Sequence, residues 1–159
     1  MKKYLILTVS LICLFAVIFL CFNVFFDNKP ITKEEIISIF NNNQNRFVSV
    51  QKYLEKSNNI SHIYSSNGKI KFSNDDDADN HIDQKIYNDI KYLTDNLGVK
   101  LITVDDDRNI EFLFYTNGTE RFSIAFYKSG KKPTGQPTDY YYEEISKNWF
   151  YSYENQPYT

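Results

Sequence analysis

Hydrophobic and polar positions divide the chain into two unlike parts. Across residues 4–26 no side chain carries a charge, and only Thr8, Ser10 and Asn23 are clearly polar breaks. As a helix, this run of about 23 residues measures roughly 34 Å, enough to cross a hydrocarbon core of about 30 Å. Beyond it the pattern becomes periodic. Ile36, Phe40, Phe47 and Leu54 recur at helical spacing, broadened by Ile37, Val50 and Tyr53, which predicts an amphipathic helix running to about residue 56. Thr32-Lys33-Glu34-Glu35 reads as a capping box that starts it. The polar tract at 41–45 is poor in helix formers and marks where a kink or break is expected.

After Ser57-Asn58-Asn59 the period shortens. Segments 60–64 and 69–72, around Ser65-Ser66-Asn67-Gly68, read as a hairpin. Ile82, Ile86, Ile90, Leu93 and Leu97 then form the stripe of a second helix from about residue 79, with Gly98 suited to its left-handed end. Segments 99–104, 110–116 and 119–128 read as a meander joined by an Asp/Asn-rich turn and by Asn117-Gly118. In its last strand Phe122, Ile124 and Phe126 oppose Arg121, Ser123 and Ala125, which predicts one covered and one wetter face. Gly130, Pro133, Gly135 and Pro137 make 129–138 a loop, and 140–145 with 149–153 read as a final hairpin across Ser146-Lys147-Asn148. The expected fold class is α+β. An N-terminal transmembrane helix precedes one small domain, in which two helices pack on a mainly antiparallel sheet in the order α-β-β-α-β-β-β-β-β.

The expected organisation is a cytoplasmic N-terminus at 1–3, a transmembrane anchor at 4–26 and an exported domain at 27–159. Lys2 and Lys3 are the only charges before the span, so the short N-terminus stays cytoplasmic and the rest is extracytoplasmic. Secretion after signal cleavage is the alternative, since two lysines before an apolar run also describe a signal peptide. Length argues for the anchor, and so does the run's end at Phe22-Asn23-Val24-Phe25-Phe26, which offers no small-x-small cleavage site. Cys13 and Cys21 both fall inside the span and follow Ile12 and Leu20, without the small residue a lipoprotein signal needs. The exported part therefore has neither a disulfide nor a thiol nucleophile. Acidic residues outnumber basic ones 20 to 18 in the whole chain. With Lys2 and Lys3 set aside the exported part is more acidic still, which argues against nucleic acid or anionic lipid as its partner. The abundance of Asn, Ile, Lys and Tyr matches a low-GC bacterial proteome.

Two acidic triplets stand out, Asp75-Asp76-Asp77 and Asp105-Asp106-Asp107. Each has an ordinary account, as a helix start and a hairpin turn respectively. The expected order of elements also brings both to one pole. There Asp75, Asp77, Asp79, Asp105 and Asp107 are a candidate calcium site, because calcium accepts several carboxylates in flexible geometry. The local sequence departs from an EF-hand, with Asn80 at its glycine position and Ile86 at its bidentate glutamate position. Lys131 and Lys132 are an internal alternative to the cation.

The second cluster is aromatic. Tyr140, Tyr142, Trp149, Tyr151 and Tyr153 are candidates for gripping a peptide or stacking on a sugar; Trp149, Tyr151 and Tyr153 share one face of a strand. The competing reading is core, since aromatics favour strands and a small domain without disulfides needs bulky filling. The Trp149 segment resembles one aromatic hairpin of bacterial cell-wall-binding repeats, in a single copy lacking the repeat glycines. Catalytic signals are thin: His62 and His81 are the only histidines, and no G-x-S-x-G elbow, H-E-x-x-H helix or phosphate-binding glycine loop occurs. The sequence thus points to a single-pass, membrane-anchored bacterial binding module for an envelope protein or wall polymer. It implies no cofactor beyond weak calcium, no nucleic acid and no enzymatic activity. The alternatives are an immunity-type protein that intercepts a toxin at the membrane, and an enzyme acting on envelope glycans.

Overall fold

Thr32 starts the first helix as its sequence predicts. Its Oγ1 accepts from the Glu35 N–H at 3.2 Å, and the Glu35 carboxylate accepts in return from the Thr32 N–H at 2.8 Å. In the computed structural model, which describes residues 31–57, 59–74, 82–116, 120–131 and 140–155, this helix is α1 (Lys33–Leu54). The asparagine tract bends it without ending it. Asn43 leaves helical geometry at φ −128° and ψ 19°, and its Nδ2 donates to the Ile39 carbonyl at 2.9 Å. At the far end the Arg108 guanidinium donates to the Leu54 carbonyl at 3.1 Å and also to that of Ser57, satisfying acceptors that every helix C-terminus leaves open.

Strands β1 (Ile60–Ser66) and β2 (Lys69–Asn74) turn through Asn67 and Gly68, whose φ values of +53° and +70° define a two-residue turn of the hairpin-compatible hand. Ser66 pairs with Lys69, so β1 reaches two residues further into the turn than expected, while β2 begins where expected. Helix α2 (Gln84–Asp95) begins later than the expected residue 79, and Ile82 lies before it. Asp83 is the reason: its own backbone is non-helical, and its carboxylate accepts from the Lys85 N–H at 2.7 Å. Gly98, at φ +80°, follows the helix as anticipated, and the Val99 N–H closes the end on the Leu93 carbonyl at 3.0 Å.

Five further strands follow: β3 (Leu101–Val104), β4 (Ile110–Thr116), β5 (Glu120–Phe126), β6 (Tyr140–Ser146) and β7 (Trp149–Asn155). All seven form one antiparallel sheet in the order β2-β1-β3-β4-β5-β7-β6. The final hairpin joins it by its second strand, which leaves β6 at the edge. Both helices pack on the sheet, and the class is α+β, as expected. Phe47, fully buried, sits at the centre of the core, with ring centroids 5.4 Å from Phe40, 5.0 Å from Phe112 and 6.3 Å from Trp149. Arg46 ties the helices together. Its guanidinium meets the buried Asp89 carboxylate at 2.5 Å and lies 4.1 Å from the centre of the Tyr92 ring. Among the described residues no helix is long and apolar enough to cross a membrane; the apolar run at 4–26 lies outside them.

Candidate functional site

Strand alternation sends Ile124 and Phe126 of β5 into the aromatic core, with half-buried Phe122 on the same side, and turns Arg121, Ser123 and Ala125 to the helix-free face. The register then sets these residues in rows. Arg121 lies opposite Glu154 of β7, which lies opposite Tyr140 of β6; Ser123 lies opposite Ser152, which lies opposite Tyr142. Glu111 of β4 pairs with Ala125, beside the first two rows.

Ser152, Ser123, Glu111, Arg121, Glu154 and Tyr140 join into one hydrogen-bonded chain across four strands. Ser123 donates to the Glu111 carboxylate at 2.6 Å, so its single proton is committed and Ser152 is the donor in their 2.5 Å contact. Arg121 reaches Glu111 at 3.3 Å with one nitrogen and Glu154 at 3.2 Å with the other. The Tyr140 hydroxyl donates to Glu154. The face expected to be wetter is polar, yet its centre is dry: Ser123 is 1 % exposed, Ala125 2 % and Glu154 5 %. Tyr127 helps to close it, with its ring 5.5 Å from Phe150 and 6.0 Å from Tyr142.

Beside this chain lies an open cavity of about 180 Å³, lined by Glu111, Arg121, Tyr127, Tyr140, Tyr142 and Glu154, with Asp105 and Asn109 also contributing. Burial pushes the Tyr127 hydroxyl far above the ordinary tyrosine range, reinforced by Tyr142 and by the charges of Glu111 and Asp105. Burial raises Tyr142 as well. Carboxylates clamped by a guanidinium and served by hydroxyls are fixed acceptors, which suits them to holding a donor.

The expected aromatic set is divided between the two faces. Tyr140 and Tyr142 line the cavity, their rings 6.1 Å apart and 8° from parallel. Trp149 and Tyr151, at 4 % and 3 % exposure, belong to the core, so the expected accessible row does not exist at those positions. The covering element is α1: the Trp149 ring packs on Phe40 at 5.0 Å, and Lys33 lies 5.9 Å from the Tyr151 ring. Tyr153 is half-buried on the same side, against Phe122 at 5.1 Å, and its hydroxyl donates to Glu120 at 3.0 Å.

Asp75, Asp77 and Asp79 of the calcium hypothesis lie outside the described residues. Asp105 acts in its turn, where its two oxygens accept from the Asn109 N–H at 2.8 Å and from Asn109 Nδ2 at 2.9 Å; Asp107 is exposed. Among the described residues no three His, Cys, Asp or Glu side chains are placed to hold a metal ion. Glu111, Arg121, Ser123, Ser152 and Glu154 are the site residues that the sequence reading missed. A signal existed in the polar alternates of β5 and β7, but only the pairing of those strands turns it into a cluster.

No protein-family model, curated protein or solved structure matches this chain. The class is therefore set by fold and site alone: an α+β domain with a polar, tyrosine-rimmed cavity on the helix-free face of its sheet.

Proposed function

We propose that this chain is a single-pass protein of the bacterial envelope whose extracytoplasmic α+β domain binds another envelope protein through the helix-free face of its sheet, without catalysing a reaction. The observation that carries this reading is the cavity where Tyr127, Tyr140 and Tyr142 meet the chain through Glu111, Arg121 and Glu154. Its volume of about 180 Å³ is below the about 300 Å³ at which sites begin to enclose a whole drug-sized ligand, and suits one protruding group of a larger partner. The lining sets three carboxylates against one guanidinium, which favours a protein over an anionic wall polymer. Membrane anchorage is supported by the uncharged run at 4–26 behind Lys2 and Lys3. An immunity-type protein that intercepts a toxin is one form of the same reading.

A photo-cross-linking residue at position 140 of the full chain, expressed in cells, tests the surface. It should give a protein adduct that the same residue at Asn88, on the exposed side of α2, does not. Equal adducts from both positions, or none from position 140, would overturn the reading, and a purely glycan adduct would transfer it to a wall polymer. Alkaline phosphatase fused after Thr159 should be active, as an exported C-terminus requires. Turnover of cell-wall substrate, abolished by one carboxylate substitution, would replace binding with catalysis.

A further inference from the structure

We propose that the cavity on the helix-free face receives a cationic side chain, lysine or arginine, from a basic segment of the partner polypeptide. The inference rests on the binding reading above and adds the chemistry of the group that enters. One N–H of Arg121 serves Glu154 and another serves Glu111, and the Ser123 proton goes to Glu111, so these donors serve the site's own acceptors. A carboxylate oxygen has two lone pairs, and each oxygen of Glu111 and of Asp105 accepts one hydrogen bond from the described residues. Lone pairs of Glu111 and Asp105 thus remain for a further donor.

Charge points the same way, because three carboxylates outnumber the one guanidinium and their field acts inside a concave, partly dry space. Burial raises the Tyr127 hydroxyl, and the charges of Glu111 and Asp105 add to the rise. Aromatic geometry is the independent observation. Tyr127 and Tyr142 stand at 72° with centroids 6.0 Å apart, forming a corner, and Tyr140 lies parallel to Tyr142. A cation within about 6 Å of such ring centres is attracted by their electron-rich faces. An anion meets repulsion here, and a purely apolar group would strip water from carboxylates without replacing it.

The test uses the full chain in detergent, labelled with 3-fluorotyrosine, with the signals of Tyr127, Tyr140 and Tyr142 assigned by Tyr→Phe replacement. The probes are Nα-acetyl-lysine amide and Nα-acetyl-arginine amide, against Nα-acetyl-norleucine amide and N-acetylglucosamine. The cationic probes should shift those three signals saturably and bind at least about fivefold more tightly than norleucine, with an advantage that shrinks as salt is added. Asp105→Asn, which keeps an acceptor for the Asn109 N–H, should weaken lysine binding by about fivefold at low salt. Tyr142→Leu should weaken it too, while the fluorine spectrum of the remaining tyrosines reports that the fold is intact. Equal binding of lysine and norleucine, preference for the sugar, or no shift at all would overturn the proposal. Failure here beside a protein adduct at position 140 would remove only the cationic group. Lysine binding without any adduct would instead remove the protein partner and leave the pocket chemistry standing.

Discussion

The two faces of the sheet are both buried at their centres, and by opposite means. On the helix side, rings from Phe40, Phe47, Phe112, Phe126 and Trp149 interlock under α1. On the other side, Ser152, Ser123, Glu111, Arg121, Glu154 and Tyr140 pass hydrogen bonds from one to the next beneath Tyr127 and Tyr142. Apolar packing loses stability in proportion to the volume removed. A hydrogen-bonded chain fails differently, because removing one member strands the buried groups it served. The first face is suited to holding the fold, and the second carries the cavity of the proposed function.

The largest expected effect lies on the packed face. Phe47→Ala should cost about 4 kcal/mol, the typical loss for emptying a fully buried phenylalanine site. Urea unfolding of the full chain measures it, and a loss under about 1 kcal/mol would show that the ring cluster is not the centre of the core. The matching break on the other face is Arg121→Met, which removes the guanidinium that buried Glu154 meets at 3.2 Å. A fully buried pair broken in this way costs about 3–5 kcal/mol, and the partial exposure of Arg121 lowers the expectation to about 2 kcal/mol. The sharper measurement is the double variant. Adding Glu154→Gln to Arg121→Met should restore part of the loss, since it removes the stranded charge, whereas strictly additive losses would mean that the network does not act as a unit.

The elements were legible because their signals are local. The Thr32–Glu35 capping box, the Asn67-Gly68 turn, Gly98 and the periodicities around Ile90 and Ile124 each act within a few residues, and each is found in the fold. What stayed hidden depends on which strands pair. That β7 lies between β5 and β6 follows from no residue near Lys147, yet this insertion alone sets Glu154 against both Arg121 and Tyr140. The common face of Trp149, Tyr151 and Tyr153 was likewise readable from strand period. That α1 would cover it was not, because the covering residues Lys33 and Phe40 lie more than a hundred positions earlier.

A smaller, pH-dependent effect asks whether the faces differ in how they hold tyrosine. Burial raises Tyr151 on the packed face to about 12, and it raises Tyr127 and Tyr142 on the other. Unfolded tyrosine ionises near about 10, so the folded state's resistance contributes stability that is fully present below about pH 10 and is lost as pH rises through the folded values. Alkaline unfolding should therefore begin above about pH 10, and the phenolate absorbance of the buried tyrosines should appear with it. Tyr151→Phe and Tyr127→Phe should each weaken the alkaline loss. If only one does, the burial of the two faces is unequal where it matters for charge.

The smallest effect is expected where the start of α1 meets edge strand β6. Lys33 pairs with Glu143 at 2.5 Å while lying 5.3 Å from the Tyr141 ring, and both members of the ion pair are about one-third exposed. The hydrogen bond between them holds Glu143 below its ordinary carboxylate value and Lys33 above its ordinary ammonium value. The Glu143 contribution is present above about pH 4.5 and is lost as pH falls through its lowered folded value. The Lys33 contribution is present below about pH 10.5 and is lost as pH rises through its raised one. The difference in unfolding midpoint between the native chain and Glu143→Gln should thus be small, greatest near neutrality, absent at both extremes and reduced by salt. Arg121→Met should keep most of its cost in the same salt, because its carboxylate partner Glu154 is buried. A salt response equal to that of Glu143→Gln would place the Arg121 network in solvent and erase the contrast between a dry polar face and a screened edge.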